Sequence, residues 1–201
     1  NEADKALLAL QWRQRAGAFG CEESAVYSNV SLRVAPGLNA SVLRQGPIHA
    51  LQSTTMFLAL WTMIIRMGRF RFHDWTVKVD PTCVFFAYRL RKALPRPEER
   101  HGSFINGCPS GRGGGFQALS RQAVRSLAQG ASRCLGHLKG NCTGPCNRPG
   151  SGAFDHCLSK VLSVRDEGEN LGAFSADGCG RQSGWAACTD RSRLAFSHFH
   201  K

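Results

Sequence analysis

The stretch "DWTVKVDPTCVFFAYRLR", residues 74–91, decides how this chain folds. Its first part, Trp75–Val79, alternates apolar and polar side chains, the pattern of a half-buried strand. Trp75, Val77 and Val79 fall on one face; Thr76, Lys78 and Asp80 fall on the other. Pro81 lacks the N–H that a strand ladder needs, so Asp80 stands at the carboxyl edge of the strand. That edge is where open α/β sheets bind their ligands. A carboxylate there can hold Mn²⁺ or Mg²⁺ bridging a diphosphate, and Lys78 adds a nearby positive charge. Two plainer roles compete: Asp80 capping the turn that Pro81 opens, and Lys78 held in solvent. After Thr82 and Cys83 the apolar run continues as a short strand and turns into a helix.

Outward from this stretch, strands and helices alternate. Residues 3–16 read as an amphipathic helix, with Trp12 on the apolar stripe and Lys5, Arg13 and Arg15 outside it. A strand follows, then a loop punctuated by "PGLNAS". Ser53 or Thr54 caps a helix running to about Met67, closed by Gly68 and apolar on nearly every side, which predicts deep burial. "RFRFHDWTVKV" alternates as strand, its parity shifting at residues 73–74. "FINGC" is a short strand, "PSGRGGGF" a turn, "QALSRQAVRSLAQGASRCLGHL" a helix, and "FDHCLSKVLSV" another. The order predicts one α/β domain over 1–201 with a mainly parallel sheet flanked by helices.

Composition narrows the partners. Lys and Arg outnumber Asp and Glu by 26 to 14, a formal charge of +12. This favours polyanions: acidic glycan, anionic membrane surface, nucleotide diphosphate or nucleic acid. Against nucleic acid, the bases in "RLRKALPRPEERH" are not interleaved with an aromatic platform. The most apolar stretch, residues 56–65, is half of the roughly twenty residues a membrane span needs. The opening "NEADKALLAL", charged and without Met, reads as a trimmed end.

Nine cysteines and three N-x-S/T sequons, at Asn29, Asn39 and Asn141 in stretches read as loops, predict a glycoprotein of an oxidising compartment, the secretory lumen or the exterior, stapled by disulfides. Cys179 and Cys188, separated by small residues and glycines, predict one pair; Cys108–Cys134 and Cys142–Cys146 are further candidates. The same region admits a zinc reading through Cys134, His137, Cys142 and Cys146.

The stretch 74–91 resembles the strand and metal-binding Asp-x-Asp motif of GT-A glycosyltransferases, most closely the Fringe and β-1,3-galactosyltransferase-like group. "GGGFQALSRQAV" is similar to the Gly-rich segment that follows in that group. "AGAFGCEESAVYS" resembles its first strand, "CLSKVLSV" the helix after its acidic loop, and "CTDRSRLAFSHFH" its aromatic–histidine ending. The order, cysteines included, resembles that of secreted glycosyltransferase-like proteins. The resemblance implies a GT-A (Rossmann-like) fold, Lys78 and Asp80 at a nucleotide-sugar site, and Asp80 with His198 as metal ligands. It also makes Cys83, where the group carries a small residue, the expected free thiol.

The departures bear on activity. Thr82 stands where the second metal-binding Asp belongs. No acid precedes Asp155 in "CNRPGSGAFDHCL", where the group carries its catalytic base, and Asp155 itself is out of register. General-base catalysis is worth about 10²–10⁴-fold, and a lost metal leaves the diphosphate charge unmet. The expected function is therefore a degenerate, catalytically inactive glycosyltransferase-like domain acting as a binding or scaffold protein. The alternatives are an active metal-dependent transferase using Asp155 with a nucleotide sugar and a glycan acceptor, and a basic polyanion or nucleic-acid binder with a Cys/His zinc site.

Overall fold

The computed structural model describes residues 2–43, 52–81, 83–94, 96, 101–106, 116–139, 151–167 and 195–196. Three clusters of buried side chains organise them.

Helix α1 (Glu2–Arg13) lays Leu8, Ala9 and Trp12 against a small sheet of β1 (Val26–Ser28), β2 (Leu32–Ala35) and β3 (Leu38–Val42). Its strand order is β1-β3-β2, with β1 and β3 parallel and β2 and β3 antiparallel. The two-residue link Pro36–Gly37 makes the β2–β3 hairpin, Gly37 taking a φ of 78° that other residues resist. Asn39 therefore lies within a strand, not in a loop, although its side chain is exposed as a sequon requires. Asn29 is exposed in the bend after β1.

The larger sheet runs in the order β4-β7-β6-β8, formed by β4 (Trp75–Val79), β7 (Phe116–Ser120), β6 (Ser103–Asn106) and β8 (Arg165–Asp166). Strand β7 is antiparallel to both β4 and β6, while β6 and β8 are parallel. Short β5 (Val84–Phe85) pairs antiparallel with β9 (Ala195–Phe196). The protein is thus mixed α/β with small mixed sheets, which corrects the expectation of a mainly parallel sheet. The correction turns on β7: Phe116–Ser120, read from sequence as the end of a turn and, from Gln117, the start of a helix, is a fully buried strand between two neighbours. Tertiary pairing there overrides local helical propensity.

One face of this sheet carries Trp75, Val77, Val79, Ile105, Phe116 and Ala118 towards α3 (Ala87–Ala93), whose Leu90 is buried among them. The other carries Phe104 and Leu119 towards α2 (Gln52–Met67), α4 (Arg121–Lys139) and α5 (Ser151–His156). Helix α2 ends as expected at Gly68 in the left-handed conformation, with φ 70°. Among its described side chains Trp61 is enclosed, while Thr62, Arg66 and Met67 face solvent. Residues Arg69–Phe72 form a 3-10 turn, not the strand their alternation suggests, so β4 begins only at Trp75.

Helix α4 starts where the Ser120 hydroxyl accepts the N–H of Ala123 (3.3 Å), a capping bond, and also the N–H of Ser103 (2.8 Å). Cys134 on α4 is disulfide-bonded to Cys157, the first residue of a π-helical turn, Cys157–Val161, that follows α5. Both sulfurs are buried. Cys134 therefore pairs with Cys157 and not with Cys108, and a sulfur committed to a disulfide is no thiolate for zinc. Spacing could not show this, because the partner lies 23 residues away and is brought close by the α4–α5 packing. Thr82, Asn141, Cys108, Cys142, Cys146, Cys179, Cys188 and His198 lie outside the described residues.

Candidate functional site

Residues directly opposite one another on neighbouring strands point to the same face. The register places Lys78 opposite Gln117, and Gln117 opposite Asn106, in one row across β4, β7 and β6. Asp80 follows two residues after Lys78, just past the end of β4. The row faces α2 and α5, and α5 supplies Asp155. Among the sequence-nominated residues, Lys78, Asp80 and Asp155 are thus brought to one side of the sheet. Among the described residues β4 is an edge strand.

Asp155 is held from two directions. The Asn106 amide donates to its Oδ2, and Gln117 Nε2 donates to its Oδ1 at 3.2 Å. The Gln117 carbonyl in turn accepts from Trp61 Nε1 at 3.0 Å, and the Trp61 ring stacks on Phe154, one residue before Asp155. Asn106, Gln117 and Trp61 are all buried. Loss of water raises the Asp155 pKa to about 7; the Asn106 and Gln117 hydrogen bonds oppose the rise, and the Asp166 charge adds to it. A carboxyl that titrates near neutrality can take or give a proton at working pH. Sequence reading named Asp155 but missed Asn106 and Gln117. Their signal was present: each is a lone amide inside an apolar strand, "FIN" and "FQAL".

The Lys78–Asp80 end of the row differs in character. Lys78 Nζ lies 2.5 Å from Asp80 Oδ1, the lysine side chain being 10% exposed and the aspartate 39%. The Asp80 carbonyl also accepts the Cys83 N–H at 2.9 Å, closing a tight turn through Pro81. A divalent cation requires several oxygen ligands and a local excess of negative charge. Among the described residues a single carboxylate stands here, and it is matched by an ammonium. This donor set does not fit Mn²⁺ or Mg²⁺.

A separate cleft of about 770 Å³ opens along β4 on the side of Trp75, Val77 and Val79. Three ion pairs border it: Glu22 with Arg91 (2.7 Å), Glu23 with Arg69 (2.7 Å), and Asp74 with Arg121 (2.7 Å). Glu23 also binds His73 Nε2 at 2.9 Å, and these partners, Arg69 first, hold its pKa below the usual carboxylate value. The neighbours His73 and Asp74 thus pair separately, with Glu23 and Arg121. Cys21, a free thiol, lines the cleft, and burial pushes its pKa up against the opposing effect of Arg91.

No family model, curated protein or solved structure matches the chain.

Proposed function

We propose that this chain is a glycosyltransferase-like domain of GT-A type that no longer performs metal-dependent transfer and acts as a binding or scaffold protein in an oxidising compartment. The ion pair between Lys78 and Asp80 carries the reading. An ammonium 2.5 Å from the carboxylate supplies the positive charge that the motif would otherwise take from a metal. The Cys134–Cys157 disulfide agrees with the compartment. Calorimetric titration with a panel of nucleotide sugars, with and without Mn²⁺, tests it. Any binding should be indifferent to Mn²⁺, and no sugar should be transferred to glycan acceptors. Thr82→Asp combined with Lys78→Ala should restore Mn²⁺ binding but little turnover. Mn²⁺-dependent transfer by the unmodified protein would overturn the reading.

One observation favours the second reading, an active transferase: the near-neutral Asp155 carboxyl. An enzyme using it would show a rate rising with pH through about 7 and abolished by Asp155→Asn.

A further inference from the structure

Among the described residues strand β4 leaves one edge open. The N–H of Arg121 donates to the Asp74 carbonyl at 2.8 Å, continuing the β4–β7 register by one residue. Bonded and non-bonded pairs alternate along an antiparallel ladder. Thr76 and Lys78 therefore make the ladder bonds to β7. The N–H and C=O groups of Trp75, Val77 and Val79 point away from β7, along the cleft. Among the described residues nothing pairs with them. Exposed edges of this kind accept a further strand unless charge, proline or a covering element prevents it. Here no charge stands in the way: the lysine of β4 projects to the face opposite the cleft, and Pro81 only ends the strand.

We propose that this edge takes up an extended acidic peptide from a partner protein, which adds a strand beside β4 inside the cleft. Backbone bonds to Trp75, Val77 and Val79 would supply affinity, and the flanking side chains would supply selectivity. Acidity follows from the cleft's own chemistry. Arg69, Arg91, Arg96 and Arg121 line it against Glu22, Glu23 and Asp74, leaving the cleft one positive charge in excess. The chain's own Glu22 and Glu23 already show what two of these arginines accept. Each guanidinium has five N–H donors, and the Arg69, Arg91 and Arg121 side chains remain 60%, 48% and 36% exposed, so donors are left for an incoming carboxylate. A second copy of this chain is disfavoured as occupant because each carries +12. The inference does not depend on the Lys78–Asp80 face, which lies on the other side of the sheet.

The test is selection of a random displayed peptide library on the folded protein, with the Val77→Pro variant as counter-target. Proline at Val77 removes an outward N–H and leaves the β7 ladder intact, a position where an edge strand tolerates it. Recovered peptides should combine alternating β-branched residues with Asp or Glu. A synthetic copy should bind at least tenfold more weakly to Val77→Pro and more weakly as salt rises. On the unmodified protein, hydrogen exchange should show new protection at the Trp75, Val77 and Val79 amides, with Thr76 and Lys78 already protected. This last arm decides the matter even if the proline variant fails to fold. Recovery of only basic or proline-rich peptides, an absence of enrichment, or protection that bypasses those three amides would overturn the proposal.

Discussion

Burial makes Asp155 keep its proton to a higher pH than the same group in the unfolded chain, even though the Asn106 and Gln117 amides that hold its carboxyl oppose the rise. Because its folded pKa is raised, its stabilising contribution is complete below about pH 4 and is lost as pH climbs to about 7. The loss amounts to at most about 4 kcal/mol, since each tenfold change in proton affinity is worth about 1.4 kcal/mol. Urea unfolding at pH 5 and pH 8 should show the wild-type protein losing stability between the two. Asp155→Asn should flatten that difference, at the expense of placing one amide N–H₂ against another. A wild-type profile that rises with pH through this window, unchanged in the variant, would show that Asp155 is ordinarily ionised.

Between elements, close approaches set what each position tolerates. Gly102 and Gly37 both have positive φ, 69° and 78°. A Cβ on Gly37 would meet nothing within 4 Å, so Gly37→Ala should cost only backbone strain, about 1 kcal/mol. A Cβ on Gly102 would lie 2.5 Å from the Ala123 nitrogen at the start of α4. Gly102→Ala should therefore cost a further 1–3 kcal/mol or so from overpacking. The same junction depends on Ser120, whose hydroxyl accepts two buried N–H groups. Ser120→Ala should cost about 1–3 kcal/mol, because both donors lose their partner away from water. Chemical denaturation of the three variants gives the ranking, and a Gly37→Ala variant less stable than Gly102→Ala would contradict it.

At the scale of the whole molecule, the Cys134–Cys157 disulfide joins α4 to the α5 segment that delivers Asp155. Closing a loop of that length should contribute about 3 kcal/mol by restricting the unfolded chain. Replacing both cysteines by alanine should lower stability by that amount. It should also loosen Asp155, so that its carboxyl titrates closer to the ordinary value in carbon-13 spectra. Loss of stability without movement of that titration would mean that the sheet alone positions Asp155.

The sequence alone determined those features that rest on local periodicity and backbone chemistry. Trp75–Val79 alternates and is a strand, Pro81 ends it, Gly68 ends α2, and the Leu8–Trp12 stripe is the side of α1 that packs on the small sheet. Only the tertiary structure decided what depends on residues far apart in the chain. Phe116–Ser120 is a strand because β4 and β6 enclose it, although its own letters continue smoothly into a helix. Cys134 meets Cys157 because two helices pack, which no spacing rule encodes. Lys78 and Asp80 were legible as neighbours two residues apart, but Asn106, Gln117 and Asp155 converge from two strands and a helix. Burial, a property of the assembled core and not of any residue type, then gives that last carboxyl its unusual affinity for a proton.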